Sequence, residues 1–125
     1  MKSLSRLACG LAAVVLACGP ALAQPKAGGA LTAAEVKSQI VGHSVALTDG
    51  GMTWYWNPGG KYDADDGRNG RRGSYTVQAD GKLCWKESTG VAGCFQYFRQ
   101  GKDVKVRRAD PGHDFELGAV KIGPL

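Results

Sequence analysis

The groups in this sequence with the types and spacing to do chemistry are Trp54-Tyr55-Trp56, the acidic run from Asp63 to Asn69, the two histidines, and the pair Cys84 and Cys94. In a strand, Trp54 and Trp56 share one face and Tyr55 takes the other, because side chains alternate. On an exposed face the two indoles would stack on a sugar ring or an apolar ligand. On an inner face they would be core, and a domain with few large apolar residues needs them there. Trp54 and Trp56 are therefore the candidate ligand-binding residues, with core packing as the competing role. Asp63, Asp65, Asp66 and Asn69 suggest a calcium loop. An EF-hand needs a third ligand before its Gly and a Glu at the twelfth position, and the twelfth residue counted from Asp63 is Ser74. Arg68, Arg71 and Arg72 would also oppose a cation, so a solvated turn is expected and no metal. Gly42-His43-Ser44 lacks the second Gly of a nucleophile elbow, and Pro111-Gly112-His113-Asp114 reads as a turn. No Ser, Cys or carboxylate near either histidine marks it as a base, so no catalytic residue and no cofactor are expected.

The cysteines carry a firmer expectation. The chain has Cys9, Cys18, Cys84 and Cys94. Zinc is disfavoured for the last two, which lie too far apart along the chain and have no nearby His. If Ser88-Thr89-Gly90 is a three-residue hairpin loop with Gly90 left-handed, then Glu87 faces Val91, Lys86 faces Ala92, Trp85 faces Gly93 and Cys84 faces Cys94. Directly opposed residues are close enough for a disulfide. This register lays Trp85 over Gly93 and puts Leu83, Trp85, Val91, Phe95 and Tyr97 on a core face, with the disulfide on the other.

The start of the chain reads as an address. Lys2 and Arg6 precede an uncharged run from Leu7 to Ala17, and Ala21-Leu22-Ala23 gives a small-x-small cleavage pattern. The run is too short for a membrane span, which needs roughly 20 residues. A signal peptide over 1–23 and a linker over 24–30 are expected. Val15-Leu16-Ala17-Cys18 also resembles a lipobox, so lipidation of Cys18 is the alternative. Either path leaves Cys84 and Cys94 as a pair in an oxidising compartment, periplasmic or secreted in the first case and lipid-anchored in the second.

The remaining chain is one domain, 31–125. Removing Lys2 and Arg6 takes the formal charge of +5 down to +3, too mild a field for nucleic acid. The basic residues Arg68, Arg71 and Arg72, and Lys102, Lys105, Arg107 and Arg108, fit solvated strand faces. Contact with anionic lipid or acidic polysaccharide is the alternative.

Thr32 as N-cap and Glu35 three residues on form a capping box, with Leu31 and Val36 as its hydrophobic staple. Ala33, Val36 and Ile40 share a helical face, and Gly42 stops the helix. After Gly42 short strands alternate with Gly-, Pro- and Asp-rich turns. The sequence therefore predicts a mainly β fold: a small antiparallel meander or barrel-like sheet of about seven to eight short strands, with one N-terminal helix and one disulfide. In the last strand, Val120 and Ile122 keep the face of Phe115 and Leu117 only if Gly118 sits in a bulge.

Four segments together resemble a known family: Leu31-Thr32-Ala33-Ala34-Glu35-Val36, Gly73-Ser74-Tyr75-Thr76-Val77, Asp80-Gly81-Lys82-Leu83-Cys84-Trp85 and Cys94-Phe95-Gln96-Tyr97-Phe98. The chain is similar to a family of small exported proteobacterial proteins classed as a domain of unknown function. The resemblance covers nearly all of the chain after the signal and rests on a helix cap, a hairpin and a cysteine pair. It implies envelope localisation and a shared fold, and it carries no catalytic residue. The expected function is a non-catalytic binding or accessory module of the cell envelope, linked to polysaccharide or outer-membrane biogenesis. Its partner would be an envelope component or a glycan, with no nucleic acid, and with membrane contact only through a lipid anchor. The alternatives are a small β-barrel inhibitor of a hydrolase such as lysozyme, which a charge near +3 disfavours because such lysozymes are basic, and an enzyme with a site at His43 or His113.

Overall fold

The computed structural model describes residues 29–125. The expected signal peptide, Cys9, Cys18 and most of the expected linker lie outside the described residues. Among the described residues one short helix, α1 (Ala33–Gln39), precedes eight strands: β1 (His43–Leu47), β2 (Thr53–Asn57), β3 (Lys61–Asp65), β4 (Gly70–Val77), β5 (Leu83–Glu87), β6 (Ala92–Gln100), β7 (Asp103–Asp110) and β8 (His113–Pro124). Each strand pairs antiparallel with the next, and β1 pairs with β8, so the sheet closes into a barrel. Closure leaves no sheet edge exposed.

The capping box forms as the sequence predicts. Thr32 Oγ1 accepts from the Glu35 N–H, and Glu35 Oε1 accepts from the Thr32 N–H. The helix is too short to hold alone and is fixed by what it buries. Leu31, Val36 and Ile40 are buried in one cluster with Trp56, Tyr97 and Val106. Backbone bonds tie the helix to the barrel. Leu31 N–H donates to Tyr97 O, Gly42 N–H to Trp56 O, and Arg99 N–H to Gly29 O. Gly29 and Ala30, the end of the expected linker, thus run along β6. Buried Gly81, at φ +92, sits so close to Leu31 that a Cβ would collide with the Leu31 carbonyl oxygen. The helix therefore plugs the end of the barrel where β2 passes to β3, β4 to β5 and β6 to β7.

The hairpin of β5 and β6 has the expected register, with Cys84 opposite Cys94, Trp85 opposite Gly93 and Lys86 opposite Ala92. Gly90 is left-handed at φ 102, and Cys84 and Cys94 are disulfide-bonded with Cα atoms 4.0 Å apart. Leu83, Phe95 and Tyr97 are buried, but Val91 is 56% exposed. Val91 precedes β6, so although the alternation of that strand carried back would point it inward, it stays at the open hairpin tip. In β8 the register shifts so that Arg107 faces Glu116 and Val106 faces Gly118, which leaves Leu117 as the extra residue of a bulge. Leu117, Val120 and Ile122 pack on the core as expected, whereas Phe115 is 47% exposed beyond it. The acidic segment is less of a turn than expected. β3 runs on to Asp65 and β4 starts at Gly70.

The disulfide closes a short loop, with a sequence separation of 10. The chain-entropy model assigns such a loop about 3 kcal/mol. A Cys84→Ser, Cys94→Ser double variant should lose about 2–3 kcal/mol in urea unfolding while its far-UV circular dichroism is unchanged. A loss below about 0.5 kcal/mol would show that the hairpin holds its register unaided.

Candidate functional site

Alternation fixes what the barrel encloses. From the helix end the interior is filled by Trp56, Tyr75, Leu83, Tyr97 and Val106, all buried. Trp56 is the centre of this layer. It is fully buried, it lies edge-on to Tyr75 at 5.1 Å, and its Nε1–H donates to the Tyr97 hydroxyl at 3.1 Å. Burial raises the Tyr97 pKa, with the Trp56 bond opposing it, so the phenol stays neutral.

Toward the other end the inward residues become small or charged. Ala64 leaves space there, and the barrel opens in a cavity of about 320 Å³. Its walls include Leu47, Met52, Trp54, Trp85, Phe95 and Leu117. Trp54 and Phe95 meet edge to face at 5.0 Å. Arg71, Glu87 and Arg108 bring charge to the lining. A polar depression of about 400 Å³ shares Ala64, Arg71 and Glu87 with the cavity and carries the lip outward over β3 and β4.

Each charge at the mouth has a partner. Arg108 pairs with Asp110, Nε to Oδ1 at 2.6 Å, and its guanidinium lies 5.2 Å from the Trp85 ring centroid. The missing side chain of Gly93 makes this stack fit, because a Cβ there would come within 2.8 Å of the guanidinium carbon. Trp85 therefore shares the space over Gly93 with Arg108. The Trp85 Nε1–H is buried without a hydrogen-bond partner among the described residues. Asp110 also accepts from the Cys94 N–H at 3.2 Å and faces His113 Nδ1 at 3.2 Å. Burial alone would raise its pKa. The Arg108 and Cys94 bonds and the charges of Arg108 and His113 outweigh that and hold it below the ordinary 3.8. Glu87 accepts from Thr89 Oγ1 at 2.8 Å and lies 3.6 Å from Arg71. The Tyr62 phenol is pushed up to about 12, chiefly by burial and then by the Glu87 charge, with Arg71 opposing.

The residues singled out in the sequence fall in different places. Trp54 and Trp56 share the inner face, their rings within 6° of parallel and 6.4 Å apart. Neither offers an exposed stacking platform: Trp56 is fully buried and Trp54 is 6% exposed, in the cavity wall. His43 lies at the helix end, its Nδ1 3.1 Å from Val41 O, and His113 lies at the mouth end, so no site contains both. Two carboxylates of the acidic run serve its own turn. Asp65 accepts from the Gly67 N–H, and Asp66 from those of Arg68 and Asn69. Among the described residues no group of three or more His, Cys, Asp or Glu could hold a metal. Sequence reasoning missed Arg71, Trp85, Glu87 and Arg108 as site residues. The Trp85–Gly93 register was one available signal. The meeting of Arg108 with that pair needed the pairing of β6 with β7.

Asp110 gives the mouth a pH dependence. A folded-state pKa below the unfolded value adds stability above the ordinary carboxylate range, and that stability is lost as pH falls through the folded value. Urea unfolding from about pH 5 down to about pH 2.5 should show Asp110→Asn losing less stability than the wild type. Equal acid slopes would show that Asp110 does not set the acid sensitivity of the fold. Comparison of the chain with protein-family models, with curated proteins and with solved structures finds no match, so the functional reading rests on the barrel mouth itself.

Proposed function

We propose that this chain is a non-catalytic, exported module of the cell envelope that holds a small, largely apolar ligand in the open mouth of its barrel. The observation that carries the reading is the preformed cavity of about 320 Å³ walled by Leu47, Met52, Trp54, Trp85, Phe95 and Leu117. Small-molecule sites are concave, mostly apolar and largely preformed, with a few placed polar groups, and begin at roughly 300 Å³. An eight-stranded barrel has room for side chains or for one small ligand, and this barrel divides its length between the two.

A lipid-like or aromatic ligand suits the walls better than a pyranose ring. A sugar needs an exposed aromatic face with polar groups around it, and Trp54 presents little of its ring. Export is supported by the signal-like residues before Gln24 and by the disulfide, which persists in oxidising compartments. An accessory role in outer-membrane biogenesis fits a carrier of small lipid-like molecules. Lipidation at Cys18 would tether the same barrel to a membrane.

The uncharged fluorophore N-phenyl-1-naphthylamine tests the reading. It should bind one-to-one with micromolar affinity and quench tryptophan emission. Ala64→Leu and Leu117→Trp, which fill the cavity from two strands, should each weaken binding at least about tenfold while the circular dichroism is kept. Absence of binding to the wild type, or unchanged binding to both folded variants, would refute the proposal.

A further inference from the structure

The charges at the mouth are not equivalent, and the difference selects a ligand. Glu87 is turned inward. Its side chain is 13% exposed and one oxygen is occupied by Thr89. Asp110 is equally withdrawn, held by Arg108 and the Cys94 N–H. Arg108 is spent between Asp110 and Trp85. The carboxylates farther along the lip are also occupied: Asp65 and Asp66 by turn N–H groups, and Asp63 by the Asn57 amide, which donates to it at 3.3 Å.

Arg71 differs from all of these. Its side chain is 50% exposed, and Glu87 lies 3.6 Å away, an ion pair beyond hydrogen-bonding distance. A guanidinium carries five N–H donors in a planar fork, which matches the two oxygens of a carboxylate or phosphate. Arg71 lines both the apolar cavity and the polar depression beside it, so it stands where one passes into the other. A ligand that fills the cavity and reaches toward the depression meets this guanidinium, with Glu87 beside it.

On the reading that the mouth holds an apolar ligand, we infer that the ligand is an amphiphile with a single anionic head. The body lies against Trp54, Phe95 and Leu117, and the head takes the Arg71 fork. The cavity is at the small end of the range for ligand sites, which favours one medium-length acyl chain over a whole phospholipid.

The test is displacement of N-phenyl-1-naphthylamine by decanoate, decanol and decyltrimethylammonium, each below its micellar concentration and at neutral pH. These share an apolar chain and differ in head charge. For the wild type, decanoate should displace the reporter at a concentration at least about tenfold below that of decanol, a difference of ~1.4 kcal/mol, with the cation weakest. Arg71→Gln should bring decanoate within about twofold of decanol while the affinity for the neutral reporter is kept. Arg71→Lys should retain part of the preference, and Lys102→Gln, in the turn between β6 and β7 at the helix end, all of it. Equal displacement by the three compounds, preference for the cation, or an undiminished decanoate preference in Arg71→Gln would overturn the inference and leave the apolar site standing. A wild-type protein that does not bind the reporter would overturn both.

Discussion

The pairing of β1 with β8, from His43 opposite Pro124 to Leu47 opposite Val120, removes the last edge of the sheet and fixes an inside. Every second residue of eight strands must then share one narrow space. At the helix end that space is filled, because Trp56 with its bond to Tyr97 occupies the axis and Leu31, Val36 and Ile40 seal it from below. At the other end nothing comparable is available. Ala64 is too small to reach the axis, Gly93 gives its space to Arg108 and Trp85, and Arg71, Glu87 and Arg108 are charged and stay at the rim. Closure with this set of inward residues yields a barrel that is solid for part of its length and hollow for the rest.

The charges at the mouth are tolerable for the same reason the cavity is open. Burying an isolated ion is costly, and a charge near water with a close partner is not. Arg108 illustrates the arrangement. Asp110 neutralises it, the Trp85 face accepts its flat side, and the bare backbone of Gly93 gives it room. A side chain at residue 93 would push the guanidinium off the indole and into the cavity. The disulfide sits one residue further along the same hairpin, on the outer face, where it holds Trp85 opposite Gly93. A bond that looks purely structural thus positions one wall of the site.

Much of this was legible before any coordinates. The capping box at Thr32 and Glu35, the β5–β6 register and the Cys84–Cys94 bond each depend on a few residues close in sequence, where local rules are strong. The bulge near Gly118 was legible too, because the alternation of Val120 and Ile122 fails without it. The site was not legible. Arg71, Glu87 and Arg108 come from three strands, and in sequence each looks like a charge on a solvated strand. What turns them inward is the register of their neighbours: Ala64 opposite Arg71, Gly73 opposite Glu87 and Phe95 opposite Arg108. Val91 and Phe115 show the same limit in reverse. Both are apolar and at inward positions, and both emerge at the end of the barrel because no sequence rule says where the core stops.

A barrel packed at the helix end and hollow at the mouth can be probed by methyl NMR under xenon pressure, since xenon enters apolar cavities and not packed cores. The methyl groups of Leu47, Met52 and Leu117 should shift, and those of Val36, Ile40 and Val106 should not. Shifts in the second group, or silence in the first, would contradict it.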